Sequence, residues 1–70
     1  MFEITKCYQG NGKNGRPYII VNYFDVDTGD AGNCVVSPEY LEKLTRGVSE
    51  GKTLRQGYDK KSGKNFLYVR

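Results

Sequence analysis

Seventy residues, a formal charge of +3, two cysteines and no histidine set the bounds for this chain. So short a chain supports one thin core with no room for a large substrate cleft, and without histidine the commonest general base and metal ligand are both missing. The longest unbroken apolar stretch, Tyr18–Val21, is far below the roughly 20 residues that cross a bilayer.

Hydrophobic residues make up 37% of the chain and aromatics 13%, enough for a compact fold and too much for a disordered tail. Met1–Lys6 shows neither the basic nor the apolar region of a secretory signal. The expectation is therefore a single domain over residues 1–70, cytoplasmic, without a membrane segment. The charge is unevenly spread. Residues 1–50 hold Lys6, Lys13, Arg16, Lys43 and Arg46 against seven acidic side chains, whereas residues 51–70 hold Lys52, Arg55, Lys60, Lys61, Lys64 and Arg70 against Asp59 alone. The basic excess belongs to the last twenty positions, and a basic surface favours polyanionic partners.

Along the chain, Phe2–Tyr8 alternates apolar with polar residues, the period of a half-buried strand. Residues 10–17 carry three glycines and a proline, which predicts a flexible connection unable to hold a ladder. Tyr18–Val26 is rich in Ile, Val, Tyr and Phe and predicts the longest strand. Residues 27–32 read as a hairpin turn into a third strand, Asn33–Val36. Ser37 suits a helix N-cap, Pro38 the first helical position, and Gly47 a left-handed close at the far end. Within that helix Glu39–Lys43 and Glu42–Arg46 form two i,i+4 pairs, and Leu41, Leu44 and Val48 share a face, with Tyr40 beside them, that should cap a core. Residues 53–58 and 65–69 read as two more strands around a turn at 59–63.

The predicted fold is mainly β, in the order β-β-β-α-β-β. That is the element order of an OB-fold, a small five-stranded barrel whose short helix plugs one end. An SH3-like barrel is the alternative, although it needs no helix at that place.

Chemistry is sparse. Cys7 and Cys34 lie in strands, where free cysteine acts as a small hydrophobe. A disulfide between them requires the first and third strands to be neighbours, and two thiolates fall short of a structural zinc site. Asp25-Val26-Asp27-Thr28-Gly29-Asp30 has the spacing that opens an EF-hand, but position twelve counted from Asp25 is Val36 where a glutamate is required. A polar turn is the simpler reading. No cofactor, metal, small-molecule substrate or enzymatic activity is expected. What remains is basic and aromatic: Lys13, Arg16, Tyr18, Tyr23, Arg55, Lys60, Lys61, Lys64, Phe66 and Tyr68. In an OB-fold the face of strands two and three and the loops joining strands one to two and four to five form the ligand surface; Lys13 and Arg16 flank the first of those loops, Tyr18 and Tyr23 lie on strand two, and Lys60, Lys61 and Lys64 surround the last hairpin ahead of Phe66 and Tyr68. Lysine and arginine track phosphates while bases stack on rings, at about 1–3 kcal/mol each.

Gly12-Lys13-Asn14-Gly15-Arg16-Pro17-Tyr18, followed by a long strand and an acidic-glycine turn, resembles the corresponding stretch of small phage and mobile-element single-stranded DNA-binding (helix-destabilising) proteins. The resemblance implies an OB-fold that coats single strands in DNA replication, often as a homodimer, with Arg16 as a phosphate contact and Tyr18 as a stacking ring. An acidic interaction tail like that of the bacterial housekeeping proteins is not seen at Arg70. The residues themselves leave two other readings open. One is a protein–protein interaction module that docks through an edge strand or the helix; the other is an RNA-binding protein.

Overall fold

The computed structural model describes all seventy residues. Five strands and one helix follow the expected order: β1 (Phe2–Asn11), β2 (Pro17–Asp25), β3 (Ala31–Val36), α1 (Pro38–Ser49), β4 (Leu54–Asp59) and β5 (Lys64–Val69). β1, β2 and β3 form an antiparallel meander, and β4 and β5 form a separate antiparallel hairpin. β3 lies beside β5, and β1 beside β4, but no ladder joins either pair. The strands therefore follow an OB-like path around a core that stays open at two seams. No helix is long and apolar enough to cross a membrane.

Val21 and Tyr23 of β2, Cys34 and Val36 of β3, Leu44 of α1, Leu54 of β4 and Leu67 of β5 make the buried cluster. On β2 and β3 these are alternate residues, so Tyr18, Ile20, Asn22 and Phe24, with Asn33 and Val35, belong to the opposite, outer face. Tyr40 and Leu41 pack against the cluster, and the Tyr40 hydroxyl donates to the Leu67 carbonyl at 2.8 Å. The Tyr23 hydroxyl donates to Gln56 Oε1 at 2.6 Å, tying the meander to the hairpin across the core.

Several sequence-based expectations need correcting. The segment 10–17 is not a slack connection. Gly10 pairs with Tyr18 and Asn11 with Pro17, and the remaining turn is closed by Gly12 N–H donating to the Arg16 carbonyl at 2.8 Å. Glycine weakens a strand but does not forbid a ladder, and Pro17 stands at the first position of its strand, where a missing N–H is tolerated. The helix also runs past Gly47, which is buried against Val69. It closes two residues later with a Schellman pattern, Lys52 N–H to the Gly47 carbonyl and Gly51 N–H to the Val48 carbonyl, and Gly51 takes the left-handed position at φ 92°. Ser37 does cap the start, accepting from Tyr40 N–H at 3.2 Å. Of the two helical ion pairs only Glu42–Arg46 forms, at 2.7 Å, and Val48 is exposed rather than part of the capping face.

β1 contains one irregularity. Ile4 stands opposite Tyr23 while Lys6 stands opposite Asn22, so Thr5 is an extra residue in the ladder. Its hydroxyl donates to the Asn22 carbonyl at 3.1 Å. Such a bulge reverses the facing of everything after it: Phe2 and Ile4 point inward, whereas Lys6, Tyr8 and Gly10 point outward.

Candidate functional site

β3 is paired only on its β2 side, and the turn of the β4–β5 hairpin stands beside its other edge. Between them runs an open groove. Asn33, Cys34 and Val35 form one wall, and Tyr58, Lys60, Lys64, Asn65 and Phe66 contribute to the other. Of the residues singled out from sequence, the structure thus brings Lys60, Lys64 and Phe66 together. In an OB-like arrangement this is the expected ligand position, because the loop between the fourth and fifth strands flanks the face of the second and third.

The hairpin turn sets the lysines. Asp59 Oδ1 accepts from Lys61 N–H at 3.0 Å and its Oδ2 from the Ser62 hydroxyl at 3.2 Å. The one carboxylate near the groove is therefore engaged within its own turn. The ion pairs of the molecule are Arg46–Glu42 and the Met1 ammonium with Asp25 and Asp27. Lys13, Arg16, Arg55, Lys60, Lys61 and Lys64 form none, and all six side chains are exposed. Their charge is available to an incoming anion, over a range of roughly 8 Å at physiological salt.

In the β3 wall of the groove, Cys34 is 6% exposed, and burial pushes its thiol above the ordinary range. It is a protonated space-filler rather than a nucleophile. Cys7 departs from the expected core thiol and is exposed. Both cysteines stand opposite Val21, one on each side, so a whole strand separates them. Two strand spacings put their Cα atoms about 10 Å apart, beyond disulfide reach.

The outer face of the meander adjoins the groove. Tyr8, Ile20 and Val35 are directly opposite one another across β1, β2 and β3. They make an apolar row that ends at the groove wall; Tyr8 and Val35 are exposed. Lys6 Nζ lies 5.2 Å from the Tyr8 ring centroid, a cation–π contact. Tyr18 is on this face too, half-buried, with its ring over Gly10. On the hairpin, Arg55 stands opposite Tyr68, whose ring centroid is 5.9 Å from that of Phe66. Lys13 and Arg16 sit in the β1–β2 turn and Lys61 at the tip of the β4–β5 turn, outside the groove.

Tyr23 must be withdrawn from the surface set. It is 2% exposed, holds Gln56 and meets Phe2 edge-on at 5.8 Å; burial raises its hydroxyl pKa. Its place follows from sharing parity with Val21, which no ring of that strand reveals by itself. Sequence reasoning missed Tyr58, Val35, Tyr8 and Lys6. Val35 was discoverable, since Cys34 and Val36 pointing inward leaves it outside. Tyr8 and Lys6 were not, because they share even spacing with Phe2 and Ile4 and only the bulge at Thr5 turns them outward.

Comparison with protein-family models, with curated proteins and with solved structures finds no match to this chain.

Proposed function

We propose that this chain binds single-stranded nucleic acid, DNA foremost, without reading sequence, and does so by phosphate contacts and base stacking rather than by catalysis. The observation that carries the reading is the groove between β3 and the β4–β5 hairpin, where unpaired Lys60 and Lys64 stand beside exposed Tyr58 and Phe66. Phosphates need the first pair and unstacked bases the second. A duplex would hide its base faces from these rings, which favours a single strand. The resemblance of the Gly12–Tyr18 stretch adds Arg16 and Tyr18 at the far end of the meander, and with them a cytoplasmic role in the replication of a phage or plasmid.

Fluorescence anisotropy of labelled dT and rU oligonucleotides tests this. Binding to dT should weaken about tenfold to a hundredfold between roughly 50 and 200 mM salt, as release of counterions from a few phosphates requires. Absence of binding at low salt would refute it. Preference for rU would redirect the reading to RNA, through contacts to 2′-hydroxyls. A second reading is favoured by one feature, the unpaired edge of β3: an extended segment of a partner protein can add there as a strand. That binding would persist at salt concentrations that abolish the nucleic-acid complex.

A further inference from the structure

Three glycines stand directly across a strand pair from an aromatic residue: Gly10 from Tyr18, Gly32 from Tyr23 and Gly57 from Phe66. In each pair the ring leans over the glycine, filling the space a β-carbon would need. A Cβ on Gly10 would meet Tyr18 Cζ at 2.5 Å, Oη at 2.6 Å and Cε2 at 2.9 Å. One on Gly57 would meet Phe66 Cζ first, with Cε1 and Cε2 at 2.8 and 2.9 Å. A point in the plane of the ring beyond Cζ would be much farther from the Cε atoms than from Cζ. Nearly equal distances therefore place the glycine beneath the face of the ring. The ring lies flat across the neighbouring strand, one face on the glycine and the other turned away from the sheet.

What that second face meets differs among the three. For Tyr23 it is the core, since the residue is 2% exposed. Phe66 is 42% exposed and borders the groove, and Tyr18 is half-buried on the outer face. We propose that Gly57 and Gly10 are positioning residues for base stacking, holding Phe66 and Tyr18 flat so that each offers an open face to a nucleobase. This deepens the nucleic-acid reading above and rests on it. A β-carbon at either position would tilt the ring up on edge, and a base stacks on the face. Glycine opposite an aromatic also offsets the packing that a bare strand position loses.

The test separates bases from phosphates. Wild type, Gly57→Ala, Gly10→Ala and Gly32→Ala are titrated with a dT oligonucleotide and with an abasic oligonucleotide of the same length. Wild type should prefer dT. Gly57→Ala should shrink the dT-to-abasic preference about tenfold, the order of one stacked base, and leave abasic affinity within twofold. Gly10→Ala should act the same way, and Phe66→Ala combined with Gly57→Ala should lose no more than either alone. Gly32→Ala should lower the melting temperature and leave the preference unchanged. An unchanged preference in both surface variants would overturn the proposal, as would equal losses on the two oligonucleotides. So would a wild type that binds both equally. Should Gly57→Ala fail to fold, Gly10→Ala with Tyr18→Ala makes the same comparison from the β1–β2 end. A wild type that binds neither oligonucleotide refutes the nucleic-acid reading itself.

Discussion

Two turns of this protein are built alike and charged oppositely. Asp25-Val26-Asp27-Thr28-Gly29-Asp30 joins β2 to β3, and Asp59-Lys60-Lys61-Ser62-Gly63-Lys64 joins β4 to β5. In the first, Gly29 N–H donates to the Asp25 carbonyl at 2.7 Å and Asp27 N–H to Asp25 Oδ1 at 2.9 Å. In the second, Gly63 N–H donates to the Asp59 carbonyl at 2.8 Å and Lys61 N–H to Asp59 Oδ1 at 3.0 Å. The closing glycines have φ of 80° and 69°. The leading aspartate and the glycine are thus dictated by the turn: one side chain must accept a nearby backbone N–H, and one residue must take a left-handed conformation. Val26, Asp27 and Asp30 in one turn, and Lys60, Lys61 and Lys64 in the other, are free of that demand. Turn geometry does not choose the charge at these positions: Asp27 meets the Met1 ammonium at 2.7 Å, whereas the three lysines have no ionic partner, and only the lysine-bearing turn borders the groove.

Exchanging the two triplets is the strongest way to break this comparison. A variant with Val26→Lys, Asp27→Lys, Asp30→Lys, Lys60→Val, Lys61→Asp and Lys64→Asp keeps the composition and the formal charge of +3. If the placement of charge governs binding, affinity for dT should fall about a hundredfold at low salt and its salt dependence should flatten. Unaltered affinity would mean that net charge alone attracts the ligand. The fold should survive, because Asp25, Gly29, Asp59 and Gly63 are all untouched and the Met1 ammonium, which loses Asp27, keeps Asp25.

A smaller effect tests whether the scaffolds are equal. No atom lies within 4 Å of a Cβ built on Gly29, and only the Tyr58 hydroxyl, at 3.7 Å, approaches one on Gly63. Alanine at either site therefore meets backbone strain without a clash, costing about 1 kcal/mol. Urea denaturation should show similar losses for Gly29→Ala and Gly63→Ala, and only the second should weaken dT binding. Markedly unequal losses would show that the turns are alike in form but not in their hold on the fold.

The same contrast explains what could be read from the sequence. Strand and helix order were legible because β-branched runs, Ser37-Pro38 and the two Asp–Gly turns each act locally. The span of β1 and the end of α1 were not, because Gly10 and Gly47 read as breakers and are instead packing sites beneath Tyr18 and against Val69. Lysines of the last hairpin announced a basic surface by simple counting. Which rings accompany them depends on facing, and facing depends on the inward turn of Val21 and on one bulge at Thr5. Neither has a signature in spacing, so residue type alone puts Tyr23 on the surface and passes over Tyr8 and Tyr58.

The smallest effect concerns the acidic turn by itself. Asp25 Oδ1 accepts the Asp27 N–H, and this hydrogen bond is the main reason its carboxyl is held below the ordinary carboxylate range. A carboxylate whose folded-state pKa is depressed stabilises the native state above its unfolded value of about 3.9 and ceases to do so as pH falls through the folded value. Melting temperature measured from neutral pH down to about pH 2 should decline, and Asp25→Asn should flatten that decline, since its carbonyl oxygen can accept the same N–H without titrating. The change at neutral pH should be slight, because the asparagine keeps the hydrogen bond of the turn and the Met1 ammonium keeps Asp27 as its partner. Were the variant to unfold at neutral pH instead, the charge of Asp25 would be as necessary to its turn as the glycine is, and the likeness of the two turns would rest on charge as well as on geometry.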